Sequence, residues 1–237
     1  MRPEQLGDLA IPSDPQLQPG GEKIAFVVTR LDIENDKYLR RIWIWDGDEA
    51  RPLTAGPTDT SPRWSPDGST LVFLRKGAGD EDSPQLAVLD MGGGEAEIIT
   101  DFPLGVLEAQ WSPDGSRVAV VAAEWTPELA DIEPAERKRR PRRVARFPYR
   151  FDNMGWVGDR RTHIHLVAPA TGDSEQLTSG DFDESGMAWH PDGGEIAFAS
   201  ARHERRGLDP GSQIWTMSVE GGEATPRTEI GPVSYTH

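Results

Sequence analysis

The chain has 237 residues, 36% of them hydrophobic, so it is long enough to bury a core. It contains no cysteine, which excludes disulfides, thiolate metal sites and a cysteine nucleophile. The net charge of -15 argues against general affinity for nucleic acid or for an anionic membrane surface.

The N-terminal residues, MRPEQLGDLAIPSD, have one basic residue after the starting methionine and no continuous apolar stretch. This pattern is unlike a signal peptide or a membrane anchor. We therefore treat residues 1–13 as a lead segment and, because cysteine is also absent, we expect a cytoplasmic protein without a membrane partner.

Turn glycines then divide the chain into repeats. Four copies align on Gly21, Gly68, Gly115 and Gly193, and the pentapeptide WSPDG occurs at the second and third of these positions. In such a turn, proline presets φ at the second position and glycine tolerates the positive φ that the last position requires. The repeated pentapeptide therefore predicts a tight hairpin and has no chemistry of its own.

Each turn glycine is followed by a short apolar segment, namely IAFVV, LVFLR, VAVVA or IAFAS, and then by a second apolar segment and a second turn. Four strands per copy, with Gly21, Gly68 and Gly115 spaced 47 residues apart, are typical of β-propeller blades. We interpret the tryptophans before the last three turn glycines as blade core. The prediction is an all-β chain with antiparallel four-stranded blades at about 14–57, 58–103, 104–180 and 181–228, and with the start of a further blade at 229–237.

The third blade is longer than the others because it contains a basic loop, 124–161. This loop carries ten basic and seven acidic residues, whereas the rest of the chain carries 15 basic and 33 acidic residues. The basic residues of the loop are Arg137, Lys138, Arg139, Arg140, Arg142, Arg143, Arg146, Arg150, Arg160 and Arg161. Such a loop binds an anionic ligand or is a solvated surface segment. The run RKRRPRRVAR within it lacks interleaved aromatic residues and lies in an otherwise acidic chain, so it does not predict nucleic-acid binding.

Several segments resemble a known family. DPQLQPGGEKIAFVVTRLD, IWIWD, the two WSPDG turns and above all ARFPYRFDNMGWVGDRRTHIHLV closely resemble the N-terminal propeller of the prolyl oligopeptidase family, in its acylaminoacyl-peptidase-like branch. The resemblance covers essentially the whole chain. It implies a ring of seven or eight blades that caps an α/β-hydrolase domain, and a serine peptidase that cleaves short peptides as acylaminoacyl- or dipeptidyl-peptidases do, without a cofactor.

The chain itself lacks the nucleophile that this activity requires. No serine lies in a Gly-x-Ser-x-Gly sequence, and the nearest approach is GDSEQ, in which Gln176 replaces the second glycine after Ser174. We therefore expect this chain to be a propeller fragment that holds no catalytic residue. Its expected partners are a short peptide substrate and a hydrolase domain outside the chain.

Six residues of the long loop are predicted to face the substrate, because fixed guanidinium groups suit a peptide or acyl carboxylate. They are Arg146, Tyr149, Arg150, Asp152, Arg160 and Arg161. The alternative is that Arg150, Asp152 and Arg160 form an internal ion-pair network that only holds the loop in place.

Two patterns resemble metal sites. The segment from Asp181 to Asp192 spaces its carboxylates like a calcium loop, but the tryptophan and proline within it belong to a strand and a turn. His163 and His165 alternate on one strand without an evident third ligand. We therefore predict no metal.

A second interpretation of the whole chain is a non-catalytic propeller of the translocation-protein type, which binds a partner across the ring. That class requires an export signal, which the first ten residues do not resemble. In either case an open array of blades exposes strand edges, so homo-oligomers are a further prediction.

Overall fold

The strands of this protein follow one another in groups of four. The computed structural model describes residues 3–56, 58–79, 81–144, 146–147, 149–152, 155–208 and 211–229, with side chains from Leu6 onward. A short 3-10 helix, Pro3–Asp8, comes first. Within the described residues, each group of four strands pairs in antiparallel order. The prediction of an all-β chain built from four-stranded propeller blades is confirmed.

Blades 1 and 2 have the regular form. The strands of blade 1 are β1 (Ala10–Leu17), β2 (Ile24–Asp32), β3 (Lys37–Trp45) and β4 (Ala50–Pro52). Those of blade 2 are β5 (Thr58–Trp64), β6 (Thr70–Lys76), β7 (Gln85–Asp90) and β8 (Glu97–Ile98). One parallel residue pair, Arg40 with Thr58, joins the two blades into a continuous sheet.

Blade 3 contains the long loop between its second and third strands. Its strands are β9 (Val106–Trp111), β10 (Val118–Trp125), β13 (Arg160–Val167) and β14 (Ser174–Gln176). Blade 4 consists of β15 (Glu184–Trp189), β16 (Glu195–Ser200), β17 (Gln213–Ser218) and β18 (Thr225–Pro226).

The segment between β10 and β13, residues 126–159, is called the insertion below. It begins with two short helices, α1 (Pro127–Ala130) and α2 (Pro134–Arg139). Proline starts each helix, where its missing N–H costs no intrahelical hydrogen bond. The insertion ends in a small hairpin of β11 (Arg150–Phe151) and β12 (Gly155–Trp156).

Neighbouring blades pack through three apolar layers. Between blades 1 and 2, Ile42, Ile44 and Phe73 are buried. Leu86 and Val120 lie between blades 2 and 3. Between blades 3 and 4, the layer contains Ile164, Phe198 and Met217. Since every layer joins side chains from two blades, no blade has a complete core of its own.

The predicted turns have the expected geometry. Gly68 has a φ of +71°, and its amide donates to Ser65 O at 2.9 Å. Asp67 closes the turn from the side, because its carboxylate accepts from the Ser65 hydroxyl at 2.6 Å and from the Ser69 amide at 3.0 Å. The second WSPDG turn repeats these contacts with Ser112, Asp114 and Ser116.

The repeated tryptophan also links blades, which the sequence did not reveal. Trp64 Nε1 donates to Gln16 O in blade 1 at 3.0 Å, and Trp111 Nε1 donates to Arg63 O in blade 2 at 3.1 Å. In blade 4, Trp189 Nε1 donates to the Gln110 carbonyl of blade 3 at 3.2 Å. Leu17, Trp64 and Trp111 hold the equivalent position in the preceding blades. Each indole therefore donates to the backbone carbonyl of the residue just before that position.

The strand ends define two faces of the array. The first strands, β1, β5, β9 and β15, contact one another in sequence, so they lie where the blades converge. The turns at 18–21, 65–68, 112–115 and 190–193 form one end, which we call the turn face. The insertion and the loops at 77–84, 179–183 and 201–212 lie at the opposite strand ends, which we call the insertion face.

Two expected boundaries can be compared with the strands. Strand β1 begins at Ala10, so blade 1 starts four residues before the expected position 14. The further blade expected at 229–237 lies outside the described residues except for Glu229. In the described part of the chain, none of the helices is both long and apolar enough to span a bilayer.

Candidate functional site

One carboxylate holds the insertion against blades 3 and 4. Asp181 lies just before β15, where three guanidinium groups converge on it. Arg146 comes from the insertion, Arg161 is the second residue of β13, and Arg206 lies in the loop between β16 and β17. We call Asp181 and these three arginines the Asp181 cluster.

The contacts within the Asp181 cluster are short. Arg146 Nη2 lies 2.5 Å from Asp181 Oδ1, and Arg161 Nη2 lies 2.7 Å from the same oxygen. Arg206 Nη2 is 3.3 Å from Asp181 Oδ2. Arg146 and Arg206 also donate to the backbone carbonyl of Asp181, at 2.8 Å and 3.2 Å. The side chains of Arg146 and Arg161 are only 16% and 10% exposed, so their geometry is fixed by packing as well as by charge.

Asp181 is ionised at neutral pH. Partial burial by itself would raise the pKa of Asp181, but hydrogen bonds and charges from Arg146 and Arg161 outweigh it and hold this pKa at about 2. Asp183 adds a second, weaker contact, 3.6 Å from Arg146 Nη1. Three guanidinium groups facing these two carboxylates leave the cluster with an excess of positive charge.

The insertion is also tied down on both sides of the cluster. The Phe147 amide donates to Gly207 O of the β16–β17 loop at 2.7 Å. On the other side, Lys138 Nζ lies 2.7 Å from Glu81 Oε1 in the loop between β6 and β7. The second contact is highly exposed and contributes little stability. The insertion thus crosses from blade 2 to blade 4.

Arg160 takes part in a different arrangement. Its Nε lies 2.9 Å from Asp159 Oδ1, and its guanidinium carbon lies 5.2 Å from the centre of the Trp125 ring. Arg137 of α2 packs on the same ring at 4.1 Å. These cation–π contacts attach α2 to the end of β10.

The remaining predicted residues lie on the β11–β12 hairpin or next to it. Tyr149 packs against Trp156 with ring centres 5.5 Å apart. The guanidinium carbon of Arg142 lies over the Trp156 ring, 5.1 Å from its centre. Arg150 and Asp152 are exposed. Neither of them forms an ion pair with any of the described residues, so the expected alternative network of Arg150, Asp152 and Arg160 is not seen there.

A second buried carboxylate was missed by sequence reasoning. Glu184, at the start of β15, is 1% exposed. Its Oε2 lies 2.8 Å from His163 Nδ1 and accepts from Thr178 Oγ1 at 3.1 Å. Its Oε1 accepts from Arg202 Nη2 at 2.7 Å and from Ser200 Oγ at 3.4 Å. A buried charge requires such partners, but no motif marks Glu184 among the acidic residues around it.

The two metal-like patterns have other roles. Asp181 and Asp192 lie at opposite ends of β15, on the insertion face and the turn face, so they cannot hold one ion together. Asp192 lies 2.8 Å from His190 Nδ1 within its own turn. His163 is paired with Glu184, and the ring of His165 packs edge-on against Phe102 with ring centres 4.8 Å apart.

Two pockets flank the Asp181 cluster, and Arg146, Arg161 and Arg206 line both. The outer pocket, about 300 Å³, also includes Tyr149 and Trp156. The other, which we call the inner pocket, has a volume of about 430 Å³. Its apolar lining consists of Leu104, Leu107, Val121, Ala123, Phe151, Val157 and Ala201.

The site can bind carboxylate or carbonyl groups, but it holds no serine of the Gly-x-Ser-x-Gly kind. Guanidinium groups bind carboxylate and carbonyl oxygens, and the inner pocket offers apolar surface beside them. Arg146, Arg160 and Arg161 line the inner pocket, and Tyr149 lines the outer one. Ser174 lies far from both, exposed on β14 at the outer edge of blade 3.

The curated relatives of this chain include two peptidases. The chain is 35% identical over 193 residues to the uncharacterized peptidase YuxL of Bacillus subtilis, a match that covers 79% of this chain and 29% of YuxL. It is 28% identical over 249 residues to dipeptidyl-peptidase 5 of Porphyromonas endodontalis, covering 97% of this chain and 35% of that protein. The chain thus spans about a third of the length of these relatives. No protein-family model matches it.

Solved structures share the fold at lower identity. The acylaminoacyl peptidase of Pyrococcus horikoshii matches 94% of this chain with a TM-score of 0.69 and 20% identity, and 33% of that protein is covered. TolB from Acinetobacter baumannii matches 90% of this chain with a TM-score of 0.50 and 19% identity, over 53% of its own length. The backbone fold is therefore shared by a peptidase and by a protein named TolB.

Proposed function

We propose that this chain, a β-propeller segment related to peptidases, is the substrate-gating portion of a serine peptidase that hydrolyses short peptides. The reaction would take place on an α/β-hydrolase domain in the rest of a longer protein. There a serine attacks the scissile carbonyl, a histidine transfers the proton, and backbone amides stabilise the oxyanion. The propeller restricts which substrates reach that domain.

The sequence likeness to YuxL carries this proposal. Likeness of the backbone fold alone does not separate a peptidase propeller from the TolB type, because both match this chain. At the level of sequence, 35% identity extends over most of the chain to a protein named as a peptidase. That relationship favours the peptidase over the alternative of a non-catalytic binding module.

Within the propeller, we assign substrate contact to the insertion face. Arg146, Arg160 and Arg161 line the inner pocket, and their guanidinium groups suit a peptide carbonyl or an acyl carboxylate. Tyr149 belongs to the outer pocket. Arg150 and Asp152 are exposed on the same hairpin, where they remain candidates for contacts with substrate or with the hydrolase domain.

The side of blade 1 that no described blade covers supports a propeller ring of more than four blades. This side, away from blade 2, has a groove of about 370 Å³, in which Arg30 and Arg41 accompany the apolar Val28, Leu39, Trp43 and Pro52. Exposed apolar surface of this kind is expected to be covered by another element. A further blade of a seven- or eight-bladed ring fits that requirement, and a second copy of the chain would produce the predicted homo-oligomer. A cytoplasmic location remains a prediction of the sequence.

The direct test uses the longest open reading frame that contains this chain. The purified product is incubated with a fluorophosphonate probe, which labels activated serines, and with short fluorogenic acyl-peptides. We expect labelling and hydrolysis of the short peptides, and no cleavage of a folded protein. The 237-residue chain itself is the matched control and should not be labelled, since it has no Gly-x-Ser-x-Gly serine.

Three results would contradict the proposal or a part of it. A reading frame that ends without a Gly-x-Ser-x-Gly sequence, together with no labelling, would leave the binding-module alternative. Hydrolysis of folded and short substrates at equal rates would retain the peptidase but remove the gating role. An Arg161→Ala variant whose kcat/KM for short peptides equals that of the parent would exclude Arg161 from substrate contact.

A further inference from the structure

The inner pocket differs from the rest of the insertion face in its lining. Val121 and Ala123 of β10 are 1% and 5% exposed, so they form its deepest part. At the other extreme, Leu107 and Phe151 are 44% and 51% exposed. Large apolar side chains are therefore continuous from the buried sheet to the solvent-exposed rim. Its volume of about 430 Å³ falls in the range of small-molecule sites.

The charged groups along this pocket are largely engaged with one another. Arg146, Arg161 and Arg206 point their guanidinium groups to Asp181. Glu108, also in the lining, accepts from the Gly186 amide at 3.0 Å and 3.1 Å. Beside these partnered charges, the rest of the lining is mostly apolar, so the pocket can accommodate an apolar side chain next to the arginines.

We infer that the inner pocket binds a bulky apolar side chain of the peptide substrate, leucine-like or phenylalanine-like, and so determines which peptides the propeller admits. The inference rests on the proposed function and specifies its substrate class. The peptide backbone next to that side chain lies along the arginine wall, where remaining guanidinium N–H groups donate to its carbonyl oxygens. Phe151 closes the rim over the bound side chain.

The binding test uses the 237-residue chain and two neutral probes, N-acetylphenylalaninamide and N-acetylglycinamide. Neither probe carries a charge, so attraction of a carboxylate to the arginines does not contribute. Chemical shift changes in an NMR titration should concentrate on Val121, Val157 and Phe151 with the first probe and should be absent with the second.

Phe147 provides a matched control for Phe151. Both are exposed phenylalanines of the insertion, 78% and 51%, but only Phe151 lines the inner pocket. The hydrogen bond from the Phe147 amide to Gly207 O is a backbone contact, so it survives substitution of the Phe147 side chain. Phe151→Ala should weaken binding of N-acetylphenylalaninamide by about tenfold, whereas Phe147→Ala should leave it within about twofold.

The same two variants are then compared in the longer peptidase. Phe151→Ala should lower kcat/KM for a leucine- or phenylalanine-containing peptide relative to its glycine analogue by about tenfold, and Phe147→Ala should not change this ratio. If the longer protein hydrolyses peptides but Phe151→Ala affects both peptides equally, the inference is wrong and the proposed function stands. If the probe binds in the pocket but no peptidase activity exists, the proposed function is wrong and the pocket serves another apolar ligand. No shift with either probe would overturn the inference.

Discussion

The turn face and the insertion face of this protein are stabilised in different ways. On the turn face, each Ser-Pro-Asp-Gly turn is closed by residues within five positions of one another. In the first, the Ser65 hydroxyl and the Ser69 amide donate to the Asp67 carboxylate. On the insertion face, Asp181 collects guanidinium groups from three separate segments, at Arg146, Arg161 and Arg206. The first arrangement is repeated in blades 2 and 3, and the second is seen once among the described residues.

This difference separates scaffold from site. A turn that is closed by its own residues can be copied from blade to blade, and its contacts need only the right local sequence. A cluster built from distant segments depends on how blades 3 and 4 pack, so it can form a pocket that no single repeat contains. The candidate binding site therefore lies on the face that the repeat does not specify.

The largest expected effect comes from breaking the buried carboxylate of the insertion face. Glu184→Ala leaves Arg202 and His163 without their partner, and Arg202 is itself only 14% exposed. Loss of one member of a buried ion pair costs about 3–5 kcal/mol. Urea unfolding curves should show that loss. Glu195→Ala is the control, since its ion pair with Arg227 is exposed and its removal should cost less than about 1 kcal/mol. Equal losses in the two variants would refute this ranking.

On the turn face, the tryptophan link between blades should have a smaller effect. Trp64→Phe keeps an aromatic side chain but removes the indole N–H that donates to Gln16 O. An unpaired carbonyl at this position should lower the free energy of unfolding by about 1–2 kcal/mol. Trp45→Phe makes the same change at an indole that has no hydrogen bond to a described residue, although Trp45 is 37% exposed and Trp64 only 8%. A comparable loss in Trp45→Phe would mean that ring size, not the hydrogen bond, is responsible.

Asp181→Asn should loosen the insertion more than it destabilises the protein. The Asp181 side chain is 57% exposed, so we expect a loss of about 1 kcal/mol or less in unfolding free energy. Hydrogen exchange at the Phe147 amide, which is bonded to Gly207 O, should become up to about tenfold faster. In Asp192→Asn, on the turn face, exchange at Phe147 should stay at the parent rate. Unchanged exchange in Asp181→Asn would show that the cluster does not hold the insertion.

Acid should weaken both faces in the same pH range, whereas salt should separate them. The Ser65 and Ser112 hydroxyls, followed by backbone amides, lower the pKa values of Asp67 and Asp114 from 3.8 to about 2. The pKa of Asp181 is also about 2, although burial opposes the arginines there. Since these folded-state values lie below the ordinary value, the stabilisation is complete above about pH 4 and is lost as the pH falls toward 2.

Hydrogen exchange can measure the effect of salt on each face separately. At neutral pH, about 1 M NaCl should speed exchange at Phe147 by screening the Asp181 cluster and should leave the Ser69 amide unchanged. Salt sensitivity at Ser69 would contradict the local origin of the turn contacts.

The blade pattern was predictable because its determinants are close together in the sequence. Turn glycines, alternating apolar strands and the recurring tryptophan predict four antiparallel blades, and each blade is present. The expected likeness to peptidase propellers also agrees with the two peptidase relatives, which match over most of the chain. The sequence did not predict that the tryptophan indoles reach the preceding blade, since that contact needs two blades side by side.

Ten basic residues in one loop look alike in a sequence, and only the tertiary structure decides which of them become a site. Packing of blade 3 against blade 4 brings Arg146 and Arg161 to Asp181, places Glu184 under full burial and leaves Arg150 exposed. The sequence by itself determined the repeat, because hairpins and strands depend on neighbours along the chain. The cluster and the inner pocket depend on residues brought together from separate segments, and the energies of such contacts are set by distance and burial in the folded chain.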